Sequence, residues 1–487
     1  MLRKTRIALA LFFFTALTLL FLDFTGTVHA YLGWCARIQL VPAILAMQAL
    51  IFLSIIFLTL LLGRIYCSTV CPLGVFQDIV SRLASLRKKA RFSYKPPRKA
   101  WIVLRYVLIA VFILPLFLGK GGLINLIDPY SMFGRMVSQI LSPVYKYGNN
   151  LLAHFAERFD SYAFYSVDIW LRGSTAFILA IISSVVVISF AYKSGRGYCN
   201  KVCPVGALLG LLSKYSLIKL RIDQEKCKSC GICAKNCKAS CIDVVNKKID
   251  YSQCVSCFNC IDNCPKKAMK YSLQKTSNKL SEEGQTRRSL ITKTALLASS
   301  FATGAIANEF DGGLARLEDK KAPQRAKPVV PAGAGSWKNF HDRCTGCQLC
   351  VTVCSNQVLR SNKTKPYMSF ERGYCRPECV KCSEVCPTGA ISPVTRAEKS
   401  AIQIGYAVWL QELCVVNTKG DNCDLCSRKC PTAAITRIPQ NADDPNSPKV
   451  PMIDINRCIG CGACEYLCPA RPLSAIYVEG VKVHREV

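Results

Sequence analysis

Cys227-Lys228-Ser229-Cys230-Gly231-Ile232-Cys233-Ala234-Lys235-Asn236-Cys237 decides how this chain is read: its four cysteines are spaced C-x2-C-x2-C-x3-C. The same spacing returns at Cys254, Cys257, Cys260 and Cys264, with Pro265 next. Three thiolates on one tight loop suit three irons of a cubane, and the fourth, carried off by the following turn, reaches the partner cubane. The spacing predicts one [4Fe-4S] cluster on Cys227, Cys230, Cys233 and Cys264, and a second on Cys254, Cys257, Cys260 and Cys237. Zinc sites pair two C-x2-C knuckles over a longer gap, and three ligands per loop suit a cubane better than a tetrahedral ion.

Working outward, 24 of the 30 cysteines fall into six groups of four. Four groups lie in the C-terminal part: Cys344, Cys347, Cys350, Cys354; Cys375, Cys379, Cys382, Cys386; Cys414, Cys423, Cys426, Cys430; and Cys458, Cys461, Cys464, Cys468. The first and last keep the strict spacing. The second opens with C-x3-C and the third with C-x8-C, which a longer loop accommodates without moving the last three ligands. A disulfide framework has no need of this repeated phasing and a cubane does, so six [4Fe-4S] clusters are expected in all. Covalent c-type haem is excluded by the absence of C-x-x-C-H, and the four histidines, His29, His154, His341 and His484, are too scattered for a haem stack.

The 487 residues are 51% hydrophobic yet carry a net charge of +32, which fits a chain that is part membrane and part soluble. Apolar runs at Ile7–Leu22, Val41–Leu62, Ile102–Leu118 and Thr175–Tyr192 are each near the ~20 residues that cross a bilayer as a helix. Arg3, Lys4 and Arg6 precede the first run, which reads as an uncleaved anchor rather than a signal peptide. Arg82, Arg87, Lys88, Lys89, Arg91, Lys95, Arg98 and Lys99 follow the second, and the positive-inside rule places that segment in the cytoplasm. The N-terminus and the two-cluster segment then also face the cytoplasm. Lysines around that segment read as a basic face against anionic lipid, with no nucleic-acid partner.

Thr286-Arg287-Arg288-Ser289-Leu290-Ile291-Thr292-Lys293 and the apolar stretch after it read as an internal twin-arginine export signal, with Ala305-Ile306-Ala307 fitting cleavage. Residues 308–336 read as a tether. The sequence also repeats itself: Gly63-Arg64-Ile65-Tyr66-Cys67-Ser68-Thr69-Val70-Cys71-Pro72-Leu73-Gly74 matches Gly195-Arg196-Gly197-Tyr198-Cys199-Asn200-Lys201-Val202-Cys203-Pro204-Val205-Gly206. Four thiolates, Cys67, Cys71, Cys199 and Cys203, are thereby candidates for an extra metal or redox site; a turn set by Cys-Pro-x-Gly is the plainer reading. Cys35 and Cys241 are left over and read as small apolar residues.

On these residues the chain resembles two known families. Residues 1–275 resemble the NapH-type membrane ferredoxins in the four spans, the paired G-R-x-Y-C-x3-C-P-x-G motifs, the Asp128-Pro129-Tyr130-Ser131 loop and the two-cluster segment. The remainder resembles the MauM/NapG-type ferredoxins in its twin-arginine leader, its four cluster motifs and the Cys423-Asp424-Leu425-Cys426 knuckle. The resemblance implies a fused quinol dehydrogenase component of the inner membrane, multi-pass, with its C-terminal domain in the periplasm. Quinol would be the electron donor, drawn from the quinone pool, and a periplasmic reductase such as nitrate reductase, or a cytochrome subunit, the partner. It also implies that Cys354 and Cys468 exchange clusters, as do Cys386 and Cys430.

The expected fold class is α+β: a four-helix membrane domain over 1–220, a cytoplasmic two-cluster ferredoxin module over 221–275, a leader or fifth span with linker over 276–336, and an exported four-cluster polyferredoxin domain over 337–487. In the external loop, roughly 120–173, Asp128 and His154 are candidate proton acceptors for quinol, with Arg135 and Asp160 nearby in sequence. Two other functions stay open: a conduit from a cytoplasmic donor to the periplasm, and an assembly factor for a periplasmic metalloenzyme.

Overall fold

The computed structural model describes residues 1–87, 92, 94, 96, 99–117, 125–161, 163–169, 173–273, 320–321, 323–362, 364–441, 443–444 and 447–487. The twin-arginine segment and Ala305–Ala307 lie outside the described residues.

The N-terminal part is helical. Helix α1 (Leu2–Leu22) has no acidic residue in its first turn and runs 21 residues, about 31 Å at 1.5 Å per residue. It stops at Asp23, whose carboxylate turns back on the chain and accepts from the backbone N–H groups of Thr25, Gly26 and His29. The second apolar run is not one helix, as expected, but two: Leu40–Leu45 and α2 (Ala49–Leu62). Met47 takes φ +55° between them. The Gln48 N–H reaches back to the Ala43 carbonyl and the Met47 N–H to that of Ile44, a left-handed closure that ends the first piece.

Helix α3 (Pro72–Arg87) follows the first Cys-Pro pair; α4 (Lys99–Phe117) carries Pro115 near its end; α5 (Pro129–Met136) is capped by Asp128; α6 (Ser174–Ser194) leads to the second motif, and α7 (Pro204–Ser213) follows its Cys-Pro pair. Two of these helices, α1 and α6, are long and apolar enough to cross a membrane; α2, a stretch of α4 and α7 are shorter apolar helices.

Among the described residues the β structure forms two-stranded antiparallel ribbons. In the N-terminal module β1 (Ile218–Ile222) pairs with β2 (Met269–Leu273), tying the two ends of the module together. In the C-terminal module β3 (Ile402–Trp409) pairs with β4 (Ile476–Glu486), with Val478 fully buried between the ribbon and the loops. The sheets are too small to build a core alone, and cysteines share the buried clusters around them with small and aliphatic side chains such as Ala234, Val255, Ala434 and Ile435.

Both modules lean on the helical part. On one side the Leu217 N–H donates to the Leu60 carbonyl, the Tyr271 hydroxyl to that of Leu62, and Arg3 at the start of α1 pairs with Asp262 at 3.2 Å. On the other side, beyond the end of α1, Lys381 donates to the Thr25 carbonyl at 2.9 Å, and Arg37 reaches the Glu384 carbonyl. Gly134 on α5 fits between the Phe21 ring and the Cys347 carbonyl; a Cβ there would stand 2.7 Å and 2.6 Å from them.

Candidate iron-sulfur centres

Cys227, Cys230, Cys233 and Cys264 line one cavity of the N-terminal module, and Cys237, Cys254, Cys257 and Cys260 line another. These are the two ligand sets expected from the spacing, with the fourth cysteine exchanged. Sequence reasoning missed Cys241. It lies 3.5 Å from Cys237, Sγ to Sγ, inside the second cavity. The hydrogen bond from Cys241 draws the Cys237 thiol below its ordinary value, against burial, which favours the thiolate that an iron ligand must be. The only signal in the sequence was its distance of four residues from Cys237.

In the C-terminal module the exchange differs from the expected one. Cys386 stands with Cys344, Cys347 and Cys350, close enough that its charge acts on all three thiols, and Cys354 acts likewise on Cys375 and Cys382. Cys468 joins Cys414, Cys423 and Cys426, and Cys430 joins Cys458 and Cys461. The first group therefore pairs with the second and the third with the fourth, overturning the first-with-last pairing. The cause is helix packing: the short helix α8 (Leu349–Thr352) lies against α9 (Lys381–Glu384), and α10 (Leu425–Arg428) against α11 (Ala463–Leu467). Each short helix carries its trailing cysteine to the neighbour's loop. The two pairs meet where the Cys375 N–H donates to the Cys461 carbonyl at 2.9 Å.

Among the described residues no three His, Cys, Asp or Glu side chains are close enough to grip a single ion. Three thiols on one loop with a fourth from the neighbouring loop is an arrangement that suits a cubane better than a single tetrahedral ion. Lys399 adds to the second set by donating to the Arg376 carbonyl at 2.6 Å and to that of Cys379, fixing the loop with the longer C-x3-C spacing.

The repeat in the helical part also converges. Cys67, Cys71, Cys199 and Cys203 are each 3–4% exposed, and Cys71 and Cys203 both feel the charges of Cys67 and Cys199. The two copies grip each other reciprocally: Arg196 Nη1 donates to the Cys67 carbonyl at 2.5 Å and Arg64 Nη2 to that of Cys199 at 3.5 Å. Gly74 and Gly206 are required by close approach, since a Cβ would come within 2.3 Å and 2.2 Å of those same carbonyls. Gln77 Nε2 lies 3.1 Å from Cys199 Sγ. Behind the thiols Asp78 receives Arg196 Nε and Arg6 Nη2 at 2.8 Å each, with Lys238 at 3.6 Å. Burial pushes its carboxyl up, and Arg196, Lys238 and Arg6 outweigh burial and hold it at about 2.

Asp128 is fully buried, and its carboxylate is committed to the Ser131 hydroxyl at 2.6 Å and the Ser131 N–H at 2.9 Å, capping α5. Arg135 is buried beside it and near Cys347. His154 and Asp160 stand exposed. Cys35 is buried among apolar residues, as expected.

The fold and the thiol sets define a ferredoxin-type iron-sulfur electron carrier. A 4Fe-4S binding domain model matches residues 45–92 and 175–223, and a 4Fe-4S dicluster domain model matches 419–471. The chain is 33% identical over 167 residues to the methylamine utilization ferredoxin-type protein MauM of Methylobacillus flagellatus, covering 32% of this chain and 70% of that one. It is 29% identical over 175 residues to the ferredoxin-type protein NapG of Escherichia coli (32% and 75%), and 28% identical over 201 residues to the putative electron transport protein YccM of the same organism (40% and 47%). The chain belongs to the MauM/NapG family of ferredoxin-type proteins. No solved structure matches it.

Proposed function

We propose that the protein is a membrane-bound electron conduit joining a two-cluster module on one side of the membrane to a four-cluster module on the other. The observation that carries this is the placement of α1. Its first turn pairs with the N-terminal module through Arg3 and Asp262, and its last turn packs through Phe21 and Gly134 toward Cys347 of the C-terminal module. A helix of about 31 Å matches a hydrocarbon core of ~30 Å.

Between the modules stand Cys67, Cys71, Cys199 and Cys203, in the two stretches matched by the 4Fe-4S binding domain model. These four would hold a seventh iron-sulfur centre, and the 24 cysteines of the six ferredoxin groups six more. Such centres supply one-electron carriers. The chain's own contribution is to fix their order and keep them dry. Arg64 reaches from the motif to the Ser252 carbonyl beside Cys254 at 3.0 Å, and on the far side Tyr198 of the second motif donates to Met132 Sδ of α5 at 2.9 Å. In the C-terminal module the ligand set of Cys344 faces the helical part, and the set completed by Cys468 lies farthest along the paired series.

Entry of electrons from quinol, the donor implied by the family resemblance of the sequence motifs, is the second reading, directed at a periplasmic acceptor. Iron is quantified in the full chain and in Cys67→Ser/Cys199→Ser, and the clusters of the C-terminal module are then followed while a low-potential donor is supplied to the N-terminal side in sealed vesicles. Loss of about four irons and loss of cross-membrane reduction are expected in the variant. Absence of cross-membrane reduction in the full chain would refute the conduit, unchanged iron with unchanged reduction in the variant would refute the seventh centre, and reduction by a quinol analogue alone would favour the second reading.

A further inference from the structure

A cavity of about 710 Å³ opens between α1, α3 and the N-terminal module. Its polar wall is made by Arg3, Arg6, Arg82, Lys235 and Lys238, against the single carboxylate of Asp78. That carboxylate is already engaged by Arg6, Arg196 and Lys238. Arg6 is 6% exposed, and its Nη1 is buried without a hydrogen-bond partner, as is Arg3 Nε. The opposite wall is apolar: Ile7 and Leu11 from α1, Ile79 and Leu86 from α3. Leu11, Ile79 and Leu86 continue onto the outer surface of the helical part. Buried cationic donors without partners need an anion, and an apolar wall that runs on to the outer surface needs a ligand with a hydrocarbon part.

We infer that this cavity binds the phosphate headgroup of an anionic phospholipid, with its acyl chains lying along Ile7, Leu11, Ile79 and Leu86. The inference rests on the membrane reading given above. With Arg3 paired to Asp262, a neutral amphiphile would still leave three surplus positive charges uncompensated, and a free phosphate would leave the apolar wall unused. Basic pockets at the cytoplasmic ends of membrane helices recognise lipid headgroups through this combination. The cavity reaches Asn259 and Asn263, on either side of Cys260, so a bound lipid would hold the two-cluster module against the bilayer.

The test uses the full chain, first fractionated without detergent, then purified in a mild detergent, delipidated, and titrated with short-chain phosphatidylglycerol under native mass spectrometry. Phosphatidylcholine and inorganic phosphate are the comparison probes. The variant is Arg82→Gln/Lys235→Gln, whose two side chains are exposed, so the fold should hold and iron content serves as its check. We expect phosphatidylglycerol to be retained, phosphatidylcholine and phosphate not to compete, and affinity to fall about 30-fold in the variant, at roughly five- to sixfold for each of the two basic side chains lost. Equal retention of phosphatidylcholine, equal competition by phosphate, or unchanged affinity in the variant would overturn the inference. A chain recovered in the soluble fraction would overturn the membrane reading as well, whereas a membrane-bound chain that retains no phosphatidylglycerol would overturn this inference alone.

Discussion

Replacing Asp78 by Asn tests the knot behind the four central thiols. The substitution keeps the shape of the side chain and removes its charge, leaving Arg196 and Arg6 buried beside a neutral amide. Asp78 is held at about 2 against an ordinary 3.8. At about 1.4 kcal/mol per pKa unit, that depression makes the charged form worth roughly 2–3 kcal/mol to the fold. Stranding the guanidinium groups raises the expected loss to about 3–5 kcal/mol, the usual cost of breaking a buried pair from one side. For a domain of ~150–250 residues this lowers the unfolding midpoint by about 6–20 °C. The assay is thermal unfolding in detergent, read from helical circular dichroism, with Asp78→Ala as a second variant. The pH profile adds a signed test. The folded-state value lies below the unfolded one, so the stabilisation is present above the unfolded value of 3.8 and is lost as pH falls through about 2. Between pH 5 and 8 Asp78 therefore contributes no slope. A midpoint within about 3 °C of the parent in both variants would refute the argument that this carboxylate holds the two repeats together.

Three further outcomes follow from the geometry. Cys386→Ser should damage the centre held by Cys344, Cys347 and Cys350 and leave that of Cys414, Cys423 and Cys426 intact, which electron paramagnetic resonance of the reduced protein resolves; damage confined to the third group would restore the family pairing, in which Cys386 exchanges with Cys430. Gly134→Ala places a Cβ against the Cys347 carbonyl and the Phe21 ring, and overpacking of this kind costs about 1–3 kcal/mol. Iron content should hold while electron transfer between the helical part and the C-terminal module slows, measured by stopped-flow absorbance. Asp128→Asn removes the charged cap of α5 and should lower stability by about 0.5–2 kcal/mol, with quinol oxidation changed only in proportion to folded protein; a selective loss of quinol turnover would make Asp128 a proton acceptor.

The N-terminal ligand sets were legible in the sequence because each cubane loop is local: three cysteines within seven residues need no tertiary information. The exchange of fourth cysteines in the C-terminal module was not legible, because it depends on which short helix packs on which, and α8 meets α9 across 28 intervening residues. The convergence of Cys67, Cys71, Cys199 and Cys203 was half legible. The repeat announced two equivalent halves, but only the reciprocal contacts of Arg64 and Arg196 reveal that the halves face each other. The break at Met47 lay hidden inside an unbroken apolar run, since hydropathy reports solvent and not φ. Cys241 was invisible as anything but a small residue, because its partner relationship is made by the turn at Ser240, which takes φ +49°.

The pairwise exchange of cysteines in the C-terminal module has a consequence for biogenesis. Neither centre of a pair is complete until both of its loops have been synthesised: the Cys344 loop waits for Cys386, and the Cys414 loop waits for Cys468. Iron loading must therefore proceed in two doublets. A frameshift after residue 457 would remove the last loop, strand the Cys414 loop without its fourth thiol and leave Cys430 without its partners, so a lesion confined to the last thirty residues costs the chain two cofactors and exposes four orphan thiolates to oxidation.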